Sequence, residues 1–146
     1  TFTMKLFFLP LSKMDKPDVI IASPMAPFLV LPAYKLAKKF NAKFIYEVKD
    51  IWPLSIIELG SISPNNPLIK AMSWCERFAI DKADAVVSSL QNYGEHLTKD
   101  LQIKKDFVWI NNGIDLDEMQ NIKPLSNEIK NKIPKDKFIV GYTGTI

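Results

Sequence analysis

The chain has 146 residues, 47% hydrophobic and 24% charged, with a formal net charge of +3. That length suits one ordinary domain, and so apolar a chain can bury enough surface to exclude disorder as its main state. The most apolar opening stretch, Leu6–Leu11, contains Pro10 and falls far short of the ~20 residues a membrane span needs.

Cys75 is the single cysteine, which excludes an internal disulfide and fits a reducing compartment. Arg77 is the single arginine, and no basic run is interleaved with aromatics. Both features argue against nucleic acid as a partner. A chain that begins at Thr1 and stops at Ile146, just past a Gly-Thr turn, is expected to be a window on a longer protein.

In chain order, short β-branched runs alternate with amphipathic stretches. Asp18–Ala22 predicts a strand. Phe28–Phe40 predicts a helix with Leu29, Ala33, Leu36, Ala37 and Phe40 at helical spacing and Pro32 in its first turn. Lys43–Lys49 predicts a second strand and Ile51–Leu59 a short helix stopped by Gly60. Asn66-Pro67 reads as a cap followed by proline at the first helical position. The helix it opens runs to about Lys82, with Leu68, Met72, Cys75 and Ala79 as its inner stripe. Asp84–Ser88 predicts a third strand, Gln91–Leu101 a helix, and Phe107–Ile110 a fourth strand followed by an Asn-Asn-Gly turn. Asp115–Lys137 is mostly connecting, with a short helix at Leu125–Ile133, and Phe138–Thr143 predicts a fifth strand. Strands separated by helices imply βαβ units with right-handed crossovers. The fold class is therefore α/β, an open parallel Rossmann-like sheet with helices on both faces.

Such sheets bind ligands beyond the carboxyl ends of their strands. The residues there are Ser23 after strand one, Glu47, Lys49, Asp50 and Trp52 around the exit of strand two, and Ser88-Ser89 after strand three. Asn111, Asn112 and Gly113 follow strand four, and Gly144 and Thr145 follow strand five. Asp50 has two readings: an acceptor for a substrate hydroxyl and a base, or the cap of a helix beginning at Ile51. Glu47 pairs with Lys49 or with Arg77, or faces a ligand. Trp52 stacks on a sugar ring or packs, and packing is favoured when it is taken alone. His96, the single histidine, reads as a surface residue, and Cys75 as core. No Cys/His cluster suggests zinc, and neither a Walker loop nor G-x-G-x-x-G is present.

The segments PDVIIAS, FIYEVKDIWP, ERFAIDKADAVV, WINNGIDLD and FIVGYTGTI, in this order from Pro17 onward, resemble bacterial glycosyltransferases of family 4. The resemblance is nearest to the sugar transferases of O-antigen, lipopolysaccharide and capsule assembly, including N-acetylfucosamine transferases. It implies the GT-B architecture, two Rossmann-like domains facing across a cleft. Residues 1–114 would be a partial N-terminal, acceptor-side domain, 115–137 a connecting segment, and 138–146 the first strand and turn of a C-terminal donor-binding domain.

The implied reaction moves a sugar from a nucleotide-diphosphate sugar to an acceptor hydroxyl with retention, without a metal or other cofactor. The implied acceptor is a lipid-linked glycan. The implied location is cytoplasmic, with room for peripheral contact at the inner membrane face. By position, Asp50 would carry the catalytic role. Ser23, Glu47, Lys49, Trp52, Asn112 and Gly113 would bind substrate, and Gly144 and Thr145 would lie by the donor diphosphate. Relatives often place a histidine after strand one, where this chain has Ser23-Pro-Met-Ala-Pro27, and His-Asp at the exit of strand two, where it has Lys49-Asp50. No catalytic histidine is implied here, and the residues from Thr1 to Ile146 are expected to be inactive alone.

A competing reading is a non-enzymatic, flavodoxin-like module that binds a ligand or partner at the same edge. It predicts a self-contained sheet with an edge strand at Phe138.

Overall fold

The computed structural model describes residues 2–8, 15–23, 25–60, 62–120 and 123–141, apart from the side chains of Glu118 and Met119. It divides into two compact units, Thr1–Asn112 and Gly113–Ile146. The first unit is built around a four-stranded sheet in the order β1 (Val19–Ala22), β2 (Lys43–Val48), β3 (Ala85–Ser88), β4 (Val108–Trp109). Every neighbouring pair is parallel. This is the α/β class read from the alternating pattern. Parallel neighbours cannot be joined by tight hairpins, so each connection carries helix.

Helix α1 spans Phe2–Phe7, and its exposed positions include Phe2 and Met4. After β1, a 3-10 turn at Pro27–Leu29 leads into α2, Val30–Phe40. Pro32 is the third residue of α2, where a missing N–H breaks little of the helical ladder. Asn41 ends α2 in the left-handed conformation at φ 52°, which asparagine tolerates better than most side chains. Between β2 and β3 lie α3 (Leu54–Glu58) and α4 (Pro67–Lys82). As predicted, the Asn66 side chain caps α4, its Oδ1 accepting from the Leu68 N–H at 2.8 Å. Gly60, at φ 90°, follows α3, where a side chain would be strained.

The expected helix over 91–101 is different in kind. Tyr93–Glu95 forms one α-helical turn, α5, which runs directly into a π-helical turn at His96–Asp100. The Leu101 N–H donates to the His96 carbonyl at 3.0 Å and the Ile103 N–H to the Leu97 carbonyl at 2.8 Å. Apolar spacing does not distinguish a wider turn of this kind from an ordinary helix.

The strand register places Ile20, Ala22, Phe44, Tyr46, Val48, Val86 and Ser88 on one face. That face is the core. Phe44, Tyr46, Val48 and Val86 are buried and cluster with Val30 and Ala37 of α2, Cys75, Ala79 and Ile80 of α4, and Tyr93 and Leu97. Cys75 is core, as expected. The buried stripe of α4 is Ile69, Met72, Cys75, Glu76, Ala79 and Ile80, whereas Leu68 is half exposed. Ile69 lies three residues before Met72 and seven before Glu76, so it shares their face, and Leu68 points about 100° away. The opposite sheet face is less completely covered: Val19, Ile21 and Val108 are exposed.

In the second unit, α6 spans Leu116–Gln120 and α7 spans Asn127–Lys132. Ser126 caps α7, accepting from the Ile129 N–H at 3.4 Å. Residues Phe138–Gly141 are irregular, and the remainder of the fifth strand read from the sequence lies outside the described residues.

Candidate functional site

Because all four strands run parallel, their carboxyl ends line one edge of the sheet. The register pairs Ala22 with Tyr46, Val48 with Ser88, and Ser88 with Trp109. Ser23, Lys49-Asp50, Ser89 and Ile110–Asn112 therefore emerge side by side. The topology brings together residues as far apart in sequence as Ser23 and Asn112 through the backbone pairing of the strands.

Hydrogen bonds tie these exits to one another. The Val48 carbonyl accepts from both the Ser88 hydroxyl at 3.0 Å and the Ser89 N–H at 3.3 Å. The same Ser88 hydroxyl accepts from the Leu90 N–H at 3.0 Å, so this fully buried oxygen is satisfied in both roles. On the other side, the Ile110 N–H donates to the Ser88 carbonyl at 2.9 Å and the Trp109 indole N–H to the Ser89 carbonyl at 3.3 Å. Ser88 and Ser89 thus brace the exits of β2 and β4. The sequence marked the two serines only as polar residues after a strand, because their bracing depends on the register.

Asp50 sits immediately beyond this brace and is exposed. Its reading as a helix cap is corrected by the structure. Helix α3 begins at Leu54, behind Pro53, and no side chain caps it. The chain turns at Trp52-Pro53, whose peptide bond is cis, and the helix starts three residues after the expected Ile51. The Asp50 backbone carbonyl accepts from the Trp52 N–H at 3.1 Å. Among the described residues, no hydrogen bond or ion pair engages its carboxylate, which is left facing solvent at the strand exit.

Of the partners considered for Glu47, the structure provides Lys49, at 3.6 Å. The Lys49 side chain is exposed, so this pair contributes less than about 1 kcal/mol and leaves both groups available. Trp52 is half-buried, and its indole Nε1 is buried without a partner among the described residues. An unpaired buried donor of this sort costs about 1–3 kcal/mol. Ser23 and Asn112 are exposed at the edge. Ser23 also lines a cleft of about 150 Å³ with Phe2, Leu6, Ile21, Leu29 and Ala33. Gly113 is exposed and begins the second unit. Gly144 and Thr145 lie outside the described residues.

A larger cleft, about 350 Å³, lies at the opposite edge, where the strands begin; its walls include Lys38, Lys43, Lys82 and Asp84. It is away from the polar strand exits. Its lysines are largely occupied, Lys43 by Asp84 at 3.0 Å and Lys82 by Asp81 at 2.7 Å.

His96 is not a surface residue. It is 7% exposed, with Nε2 2.9 Å from Glu76 Oε1 and Nδ1 2.8 Å from Asp100 Oδ2. Glu76 is itself buried on the inner stripe of α4. The polar sequence around His96 suggested solvent, but His96 lies three residues after buried Tyr93 and next to buried Leu97, on the inward side of the segment. Burial alone would push the imidazole pKa down. The hydrogen bonds to Glu76 and Asp100, with their negative charge, outweigh that effect and raise it above 6.5.

Residues 3–118 match the family described as Glycosyltransferase Family 4, a span that includes all four strands and their exits. The chain belongs to glycosyltransferase family 4. Comparison with curated proteins finds no match. Membership assigns glycosyl transfer as the chemistry, with a nucleotide sugar and an acceptor as its substrates. It also agrees with the parallel Rossmann-like sheet. Among the described residues, no helix is long and apolar enough to cross a membrane.

Proposed function

We propose that the strand-exit edge of this family-4 domain binds the acceptor and that Asp50 orients or deprotonates its hydroxyl. The supporting observation is the exposed Asp50 carboxylate, which caps no helix and stands beyond a braced strand end. A carboxylate in that position can accept the hydroxyl proton as the glycosidic bond forms, a role worth ~10²–10⁴ in rate. Lys49 and Glu47 sit beside it to bind sugar hydroxyls, and Ser23 and Asn112 extend the polar edge. Trp52, half-buried two residues after Asp50, is assigned to stacking on the sugar ring.

In this reading the donor is a nucleotide-diphosphate sugar. The nucleoside diphosphate leaves as its bond to the anomeric carbon breaks and the acceptor oxygen bonds there, with retention of configuration and no metal. Gly144 and Thr145 are assigned to the donor diphosphate, and Gly113 to the substrate side of the connection. The donor-binding groups belong to a second Rossmann-like domain, with residues 115–137 as the connection and 138–146 assigned to the start of that domain. The acceptor is a lipid-linked glycan of cell-surface polysaccharide assembly (O-antigen, lipopolysaccharide or capsule), with N-acetylfucosamine among the candidate sugars. The enzyme acts in the cytoplasm, in peripheral contact with the inner membrane face. The family match supports glycosyl transfer over the flavodoxin-like module.

The test is to incubate the enzyme carrying this chain with a panel of nucleotide-diphosphate sugars and lipid-linked acceptors. The expected result is an acceptor heavier by one glycosyl unit, stoichiometric release of nucleoside diphosphate, and a product anomer matching the donor. Inversion of the anomer contradicts the retaining mechanism. Donor hydrolysis without acceptor modification contradicts the acceptor-binding role of this edge.

A further inference from the structure

Among the described residues of the first unit, the buried charged side chains are concentrated in one place. Glu76 is 2% exposed on α4, and its carboxylate meets the His96 ring; Asp100, 53% exposed, meets the same ring from the other side. Two carboxylates only accept hydrogen bonds, and a neutral imidazole carries a single N–H. The doubly bonded arrangement therefore matches a protonated ring between two anions. Breaking such a contact leaves the Glu76 charge buried without compensation, a costly state.

The contact also spans two elements. Glu76 belongs to α4, while His96 and Asp100 bound the π-turn. That turn feeds the chain toward β4 through the Leu101 and Ile103 hydrogen bonds, and Leu101, Ile103 and Phe107 pack into the core just beyond it.

We propose that the Glu76–His96–Asp100 sandwich is a pH-sensitive clasp: it holds the π-turn and the approach to β4 against α4, and loosens when the histidine loses its proton. The proposal is independent of the function assigned to Asp50.

The other titratable groups around the clasp do not change charge near neutral pH. Tyr46 reaches it from β2 and Tyr93 from the same segment. Burial first, and then the Glu76 charge, pushes both hydroxyls well above their ordinary value of 10.0. Cys75, beside Glu76 on α4, is pushed above 9.0 by burial. On the solvent side Lys99 pairs with Glu95 at 2.7 Å, which raises it above 10.5, and Asp100 adds to that effect. Among these shifted groups, His96 is the one whose ordinary value lies near neutral pH.

The sign follows from linkage. A folded-state pKa above the unfolded value of 6.5 gives stability that is complete below pH 6.5 and lost as pH rises through the folded pKa. Each unit of elevation lowers the closing equilibrium about tenfold once the pH exceeds the folded pKa.

His96 is the single histidine, so its ring resonances can be followed without ambiguity in the intact protein. The experiment titrates them by NMR and measures amide exchange, corrected for intrinsic rates, at Leu101, Ile103 and Tyr46. The expected midpoint lies above 6.5. Protection at Leu101 and Ile103 falls about tenfold per unit of elevation and stays below that of Tyr46, which marks local opening. Asp100→Asn, at an exposed position that leaves folding intact, brings the midpoint down toward 6.5. The clasp is overturned by a midpoint at or below 6.5, by protection at Leu101 and Ile103 that is flat with pH or equal to that of Tyr46, or by an unchanged midpoint in Asp100→Asn.

Discussion

Asp50 and Glu76 are both carboxylates, yet the fold gives them opposite surroundings. Asp50 ends a strand in solvent with its carboxylate unengaged among the described residues, while Glu76 is sealed inside α4 against an imidazole. The first arrangement suits chemistry on a ligand and the second suits holding elements together. Glu76→Ala is expected to destabilise the fold by about 3–5 kcal/mol, as removal of one partner from a buried pair does, and urea denaturation at pH 6 measures it. A third carboxylate, Asp84, accepts from the Phe44 N–H at 2.9 Å and from Lys43 at 3.0 Å. Those contacts, the backbone bond first, hold it below the usual 3.8. Its contribution is present at neutral pH and lost as pH falls through that lowered value, so Asp84→Asn should flatten the acid limb of a stability profile. The place of Asp50 at the exit of β2 was legible because the strand pattern of Lys43–Val48 ends just before it. The contact between Glu76 and His96 was not, since it spans twenty positions and depends on how the segment at 93–100 packs against α4.

At the scale of elements, local chemistry was legible wherever the signal was local. The Asn66-Pro67 pair predicted both the start and the cap of α4, and Asn66→Ala should cost about 1 kcal/mol in thermal or urea unfolding. The β-branched runs marked β1, β2 and β3 to within one residue at either end. Elements decided by tertiary contacts were less legible. Helix α3 starts three residues later than expected, after a turn at Trp52-Pro53, and a π-turn replaces the second half of an expected α-helix. β4 shortens to Val108–Trp109, and α1 and α6 formed where no helix was expected. In α4 the stripe shifted from Leu68 to Ile69, a one-residue error that periodicity over one helix does not resolve.

At the scale of the molecule, the parallel sheet makes the candidate site by placing successive strand exits in a row. Its buried face supplies the stability to keep them there. Phe44, 2% exposed and edge-on to Tyr34 at 5.6 Å, is central to that face. Phe44→Ala is expected to cost about 3–5 kcal/mol in urea denaturation. The class of the sheet and its polar carboxyl edge were legible from alternation, whereas the side-by-side order of the exits became visible only with the register. The central claim is that this family-4 domain presents Asp50 to the acceptor hydroxyl. The most direct test is the turnover of Asp50→Asn in the whole enzyme, with a donor and acceptor that support wild-type activity and with its circular dichroism compared. The account predicts a fall in kcat of at least ~100-fold with the fold unchanged; turnover equal to wild type would contradict it.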